Sequence, residues 1–253
     1  MRLLSIVLLC LCAVPVSAAR LAIIVDDIGY RHTDEDVLML PANVTFSVLP
    51  HTPWGKRIAK AAHHQGHEIM LHLPMQALNG KALGPGGLHN KMSKDEFKQT
   101  LTQAIDSVPY AQGCNNHMGS FLTQLQQPMA WLMSTLQHRR LYFVDSMTTR
   151  YSKAGHQARE HDVPTLQRQV FLDNQLSLAA LEKQLQQAIT LAQEEGQAIL
   201  IAHPYPETLA FLQQQLPQLP ASHIQLVKVS RLLPYKKGFP NGSPHEASNA
   251  QPD

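Results

Sequence analysis

The sequence predicts an α/β fold: a distorted (β/α) barrel of seven or eight parallel strands. Apolar runs of strand length alternate with amphipathic stretches along most of the chain, as repeated βα units do. Polar residues capable of chemistry stand just past many of these runs. That pattern favours a barrel, whose strand ends share one rim, over an open parallel sheet.

"LAIIV" (21–25) is a buried strand and "VTFSVL" (44–49) a second. Thr52 and Pro53 suit the N-cap and first position of a helix that runs to about Gln65 and stops at Gly66. "HEIMLHL" (67–73) is the third strand, followed over 74–92 by a long Gly/Pro-rich loop of the kind that often serves as a lid. "SKDE" (93–96) is a capping box opening a helix to about Ser107. A short fourth strand leads into Asn115, and Pro128 opens a helix through His138. "LYFVD" (141–145) and "RQVFLD" (168–173) are the fifth and sixth strands. Leu178, Leu181, Leu185, Ala188, Ile189 and Ala192 form one stripe of a helix over 177–195, stopped by Gly196. "AILIA" (198–202) is the seventh strand, a helix covers 207–216, and "IQLVKV" (224–229) closes the domain.

The ends of the chain read differently. Arg2, the apolar run Leu3–Val14 and "VSAA" make residues 1–19 a signal peptide, cleaved after Ala18 or Ala19. A retained anchor is the alternative, but the run is short and soon followed by charge. The expected compartment is the periplasm, and residues 20–233 are the folded domain. Residues 234–253, rich in Pro, Gly, Asn, Ser and charge, read as a disordered tail. Removing the leader leaves Cys114 as the single cysteine, so no internal disulfide forms. The formal charge of +2 includes Arg2. A near-neutral mature chain offers nothing that recruits nucleic acid or an acidic membrane.

The strand ends carry the chemistry. Asp26 and Asp27 follow the first run, His72 lies in the third, and Asn115, Asn116 and His117 follow the fourth. Asp145, Asp173 and His203 stand at the ends of the fifth, sixth and seventh. Adjacent aspartates repel, and a divalent cation relieves that repulsion. Two imidazoles and one carboxylate with an open fourth position make a hydrolytic zinc site, and Asp27, His72 and His117 supply that set from three strands. Asp26 is then placed to take a proton from water and His203 to protonate a leaving group. Asp145 joins this catalytic set. Asn115, Asn116, His51, Arg150 and Asp173 are the expected substrate contacts. Most of the other histidines, of fourteen in all, lie on helices or loops without partners.

Taken together, "IIVDDIG", "HEIMLHLPM", "GCNNHMGS", "FVDSMTT", "FLD" and "AILIAHPYPETL" resemble the divergent polysaccharide deacetylase family, over about residues 20–232. The resemblance implies a deacetylase-like barrel related to the carbohydrate esterases that remove N-acetyl groups from chitin or peptidoglycan sugars. It implies Asp26 as base, Asp27 as ligand and His203 as general acid. Two departures stand out. The relatives take both metal histidines from an HxxxH segment, whereas His72 is followed by "LPMQ", and the Arg-x-Pro-Tyr block that holds the base is missing. The expected function is metal-dependent removal of acetyl groups from N-acetylated sugars of an envelope polysaccharide. The alternative is a weak or inactive glycan-binding protein that keeps the metal site.

Overall fold

The computed structural model describes residues 18–234 and Phe239. Residues 1–17 of the expected leader and nearly all of the expected tail after residue 234 lie outside the described residues. Among the described residues nine strands run β1 (Ala19–Ile28), β2 (Thr45–Val48), β3 (Glu68–Met75), β4 (Ala111–Met118), β5 (Tyr142–Asp145), β6 (Thr165–Gln167), β7 (Val170–Phe171), β8 (Gln197–Ala202) and β9 (Ile224–Val227). Six α-helices lie between them: α1 (Gly55–His64), α2 (Lys94–Ser107), α3 (Gln126–Arg139), α4 (Ala154–Glu160), α5 (Leu178–Glu195) and α6 (Pro206–Gln215).

All recorded pairings are parallel, in the order β6-β5-β4-β3-β2-β1-β8-β7, with β9 also pairing β1. The two edge strands, β6 and β7, are nearly consecutive in sequence. Three peptide links from Gln167 to Val170 span at most about 11 Å, so the sheet must curl until its edges meet. The seam residues show how. The Arg168 amide donates to the Asp145 carbonyl of β5, and the Gln169 amide donates to the Ile199 carbonyl of β8. Of the expected strand over 168–173 only β7 forms, with β6 just ahead of it, because the chain crosses from one edge to the other at Arg168 and Gln169.

Strand alternation separates two apolar clusters. Leu21, Ile23, Val25, Phe46, Ile69, Leu71 and Phe143 pack outward against the helices. Ala22, Ile24, Met70, Tyr142, Val144, Ile199 and Ile201 fill the barrel, joined by Val229, Leu232 and Leu233 from the segment after β9. Gly113 is required here, because a Cβ at that position would lie 2.3 Å from the Tyr142 ring. The Tyr142 hydroxyl donates to Glu68 Oε1 at 2.6 Å, and the Ser230 amide donates to the same oxygen at 3.1 Å. This buried polar contact closes the amino-terminal end of the barrel.

Several local expectations are met by specific contacts. The Ser93–Glu96 capping box is formed in both directions, at 3.3 and 2.8 Å. Gly196 ends α5 in the left-handed region. Thr52, expected as an N-cap, instead donates to the Leu49 carbonyl at 2.9 Å, and α1 begins later, at Gly55 behind Trp54. The Trp54 amide is taken by the Gly29 carbonyl, which ties the helix start to the end of β1. The loop after β3 is pinned at its base, where the Gln76 amide bonds the Leu88 carbonyl and the Leu88 amide bonds the Pro74 carbonyl.

Candidate metal centre

At the carboxyl rim the backbone leaves regular strand geometry at four places. Asp27, His51, Met118 and Met147 have φ values of 60°, 55°, 53° and 49°. Non-glycine residues in this region each cost of order 1 kcal/mol, and such strain concentrates at functional sites. At Asp27 the consequence is direct. The β1–β2 register slips between Val25 and Ile28, a bulge, and the usual alternation of faces is broken. Gly119, at φ +90°, turns the chain after β4 while its amide bonds the Met75 carbonyl.

Asp27, His72 and His117 each offer one donor atom, and these lie within 4.8 Å of one another. Asp27 Oδ1 is 3.0 Å from His72 Nε2 and 2.7 Å from His117 Nδ1. Despite these distances, Asp27 Oδ1 is buried and accepts no hydrogen bond of proper geometry from any described residue. The nitrogens converge on the oxygen without aiming a proton at it. Burial works against the Asp27 carboxylate, yet the two imidazoles more than offset it and hold its pKa well below the usual range.

His72 Nδ1 is 2.7 Å from Asn115 Oδ1, and an amide oxygen only accepts, so Nδ1 carries the proton. In the neutral ring Nε2 is then the lone-pair nitrogen, and it faces Asp27. An orphaned buried carboxylate oxygen, a fixed tautomer and two imidazoles fit a divalent cation, with N/O donors typical of zinc.

Asp26 is buried and receives Asn115 Nδ2 at 2.9 and 3.1 Å. Its carboxyl is pushed up from the ordinary value by burial, against the opposing effects of His72, His203 and the Asn115 hydrogen bond. His203 Nδ1 donates to Asp173 Oδ1 at 2.8 Å, while Asp173 Oδ2 accepts the His203 amide at 2.6 Å and Thr208 Oγ1 at 3.0 Å. Burial alone would lower the His203 pKa. The Asp173 hydrogen bond and charge, with Asp26 and Asp27 adding, raise it to about 9. A pocket of about 230 Å³ joins Asp27, His117 and His203 to Tyr30, Arg31, Leu49, Pro204 and Tyr205.

The other rim residues are placed as follows. Asp145 is buried, and its carboxylate accepts the Met147 amide at 2.9 Å and Ser152 Oγ at 2.6 Å. Asn116 is also buried, with Nδ2 on the Met118 carbonyl and Oδ1 on the Ser146 amide, so both ends of its amide brace backbone turns. His51 is exposed on the rim and borders Gly86 of the long loop. Arg150 is exposed, its guanidinium over the Tyr151 ring. Sequence reasoning passed over Ser47, Arg31 and Arg168. Ser47 Oγ donates to Asn115 Oδ1 at 2.6 Å. Arg31 is held by Asp34 at 3.1 Å and by the Pro204 carbonyl at 3.2 Å. Arg168 donates to the Ser146 and Met147 carbonyls and stacks on Phe171, and the charges of Asp145 and Asp26 both act on it. Only Ser47 had a usable signal, its inward parity within β2.

A parallel barrel with an acid–imidazole–imidazole set on its carboxyl rim defines a class of proteins that gather a polar site from separate strand ends. The model of the divergent polysaccharide deacetylase family matches residues 23–233, and the chain belongs to that family. It is 41% identical over 220 residues to the uncharacterized protein YibQ of Escherichia coli K12, covering 87% of this chain and 69% of that one. An uncharacterized protein of Haemophilus influenzae is 38% identical over 224 residues, covering 88% and 79%. Among solved structures, the uncharacterized protein ATU2773 from Agrobacterium tumefaciens C58 superposes with a TM-score of 0.81 at 23% identity, covering 85% and 89%. The lactam utilization protein from Thermus thermophilus superposes at 0.54 with 13% identity, covering 82% and 99%, a likeness of fold.

Proposed function

We propose that this protein is a metal-dependent hydrolase that removes acetyl groups from N-acetylated sugars of an envelope polysaccharide. The observation that carries the reading is the convergence of Asp27, His72 and His117 beside a buried Asp26 and a carboxylate-backed His203. Family membership supports a glycan as the substrate.

A zinc ion held by Asp27, His72 and His117 would supply Lewis acidity at the acetamido carbonyl. The protein's own groups divide the proton work. Asp26, with a carboxyl raised by burial, accepts the proton of the attacking water. His203 has Nδ1 committed to Asp173, so Nε2 is the atom that delivers a proton to the departing amine. Its raised pKa keeps it charged near neutral pH, as an acid must be before the leaving group departs. Tyr30, Leu49, Pro204 and Tyr205 give the pocket walls for a sugar ring. We further propose that residues 1–19 direct the chain to the periplasm, where such a polysaccharide lies; fractionation of cells expressing the full chain tests this.

The test of function is acetate release from peptidoglycan fragments and chitooligosaccharides, comparing zinc-loaded wild type with His203→Ala. Release by wild type and a loss of roughly a hundredfold to ten-thousandfold in the variant are expected. Zinc bound with no acetate from either form would overturn the hydrolase reading and leave a glycan-binding protein.

A further inference from the structure

Asn115 sits in the barrel with no exposure at all and does not line the pocket. A residue so placed cannot reach a sugar, yet every polar atom of its side chain is engaged. Oδ1 accepts the His72 Nδ1 proton at 2.7 Å and the Ser47 hydroxyl at 2.6 Å, while Nδ2 donates to both Asp26 oxygens at 2.9 and 3.1 Å. From this arrangement we infer that Asn115, locked by Ser47, is a positioning residue that sets the metal-binding tautomer of His72 and the orientation of Asp26 together. The inference rests on the proposed roles of those two residues.

The chemistry of the amide makes the arrangement one-way. If Asn115 were turned over, its oxygen would face the Asp26 carboxylate and its NH₂ would face His72 Nδ1. Acceptor would meet acceptor at Asp26, where an unmade buried hydrogen bond costs on the order of 1–3 kcal/mol, and the His72 proton would have to move to Nε2, the nitrogen that faces Asp27. Ser47 bonds the same oxygen from a neighbouring strand, which holds the amide in place, while Asp26 sets which way round it lies. β2 supplies Ser47, β3 His72, β4 Asn115 and β1 Asp26, four adjacent strands of one sheet. The ligand that meets the metal and the base that meets water are thus not set independently. A shift of the Asn115 amide moves both.

This differs from a structural role in what it predicts. An amide that merely fills the barrel affects stability, whereas one that fixes a tautomer affects metal affinity at unchanged ligand identity. The test is a competition titration of zinc on the whole protein for wild type, Asn115→Ala and Ser47→Ala, with thermal melts alongside. The expected result is a zinc Kd raised about 10–100-fold by Asn115→Ala. Ser47→Ala touches neither the ion nor the base and should raise Kd a few-fold. Kd values within twofold of wild type in both variants, whatever their melting temperatures, would overturn the inference. If Asn115→Ala does not fold, the Ser47→Ala titration decides it. A second readout does not require metal: long-range ¹H–¹⁵N correlation of His72 in metal-free wild type at alkaline pH. Nδ1–H is expected there, and Nε2–H would overturn the assignment. A wild type that binds no zinc but shows the Nδ1–H tautomer would refute the metal reading and leave the positioning role intact.

Discussion

Replacing Asp173 by Asn removes one charge and almost no volume, and its effect on His203 is calculable. The carboxylate takes the Nδ1 proton on one oxygen and the His203 amide and Thr208 hydroxyl on the other. An asparagine has one acceptor oxygen and one NH₂, so it can serve only one of these two sides. The His203 pKa stands at about 9 because Asp173 overcomes burial, with Asp26 and Asp27 helping through their charges. Without Asp173, burial is opposed only by those two, and the pKa should return toward the ordinary 6.5. A fall from about 9 to about 6.5 is roughly a 300-fold drop in the imidazolium-to-imidazole ratio at fixed pH, or about 3 kcal/mol. The sign follows from the role: a general acid works only when protonated, so activity is lost as pH rises through its pKa. Wild-type turnover should persist to about pH 9, and the variant should already be failing above pH 7. The same elevation stabilises the fold. That contribution is fully present below pH 6.5 and disappears as pH rises through about 9. The assay is an NMR titration of the His203 ring protons, assigned with His203→Gln, beside a pH–rate profile. An unchanged His203 titration in Asp173→Asn would refute the reasoning.

Three further outcomes are expected. Asp26→Asn should retain zinc and lose hydrolysis, as measured by metal analysis and acetate release; loss of the ion would mean that both aspartates share it. Zinc affinity should weaken as pH falls, because a proton on His72 Nε2 competes directly with the ion and both nearby aspartates raise the His72 pKa despite burial. A pH-independent Kd between 6 and 9 would contradict the ligand assignment. Gly113→Ala would place a methyl 2.3 Å from the Tyr142 ring, which Glu68 holds from the other end. Overpacking of this kind costs about 1–3 kcal/mol, and each kcal/mol lowers Tm by about 2–4 °C in a chain of this size. An unchanged melting temperature would show that the ring has room to move.

Much of the fold can be read directly from the chain. Runs such as "LAIIV" and "AILIA" are strands because only a sheet covered on both faces buries residues continuously, and β1 and β8 pair in register over these segments. The rim was legible for a related reason, since parallel strands put all their carboxyl ends on one side. Asp27, His72 and His117, separated by tens of residues, meet there. Other features depend on contacts that no local pattern encodes. The helix Ala154–Glu160 is short and mostly polar, and it is set by packing rather than periodicity. The seam at Arg168 and Gln169 looks like the start of a strand, because nothing local says that the sheet's two edges meet there. Asn115 and Asn116 look alike in sequence, yet one meets the ligand and base while the other braces two turns. Their difference comes from strand alternation combined with the turn at Met118. Arg150 and Arg168 are a similar pair: the exposed one follows a conspicuous motif, and the half-buried one lies against the site from the seam.

Three strand ends are proposed to hold one divalent ion. Metal analysis of purified wild type and His117→Ala after identical dialysis tests it most directly, because His117 is a ligand that the HxxxH pattern of related esterases would not have supplied. One zinc per wild-type chain and near-complete loss in the variant are predicted, since two remaining donors rarely retain zinc. Full occupancy of His117→Ala would contradict the account.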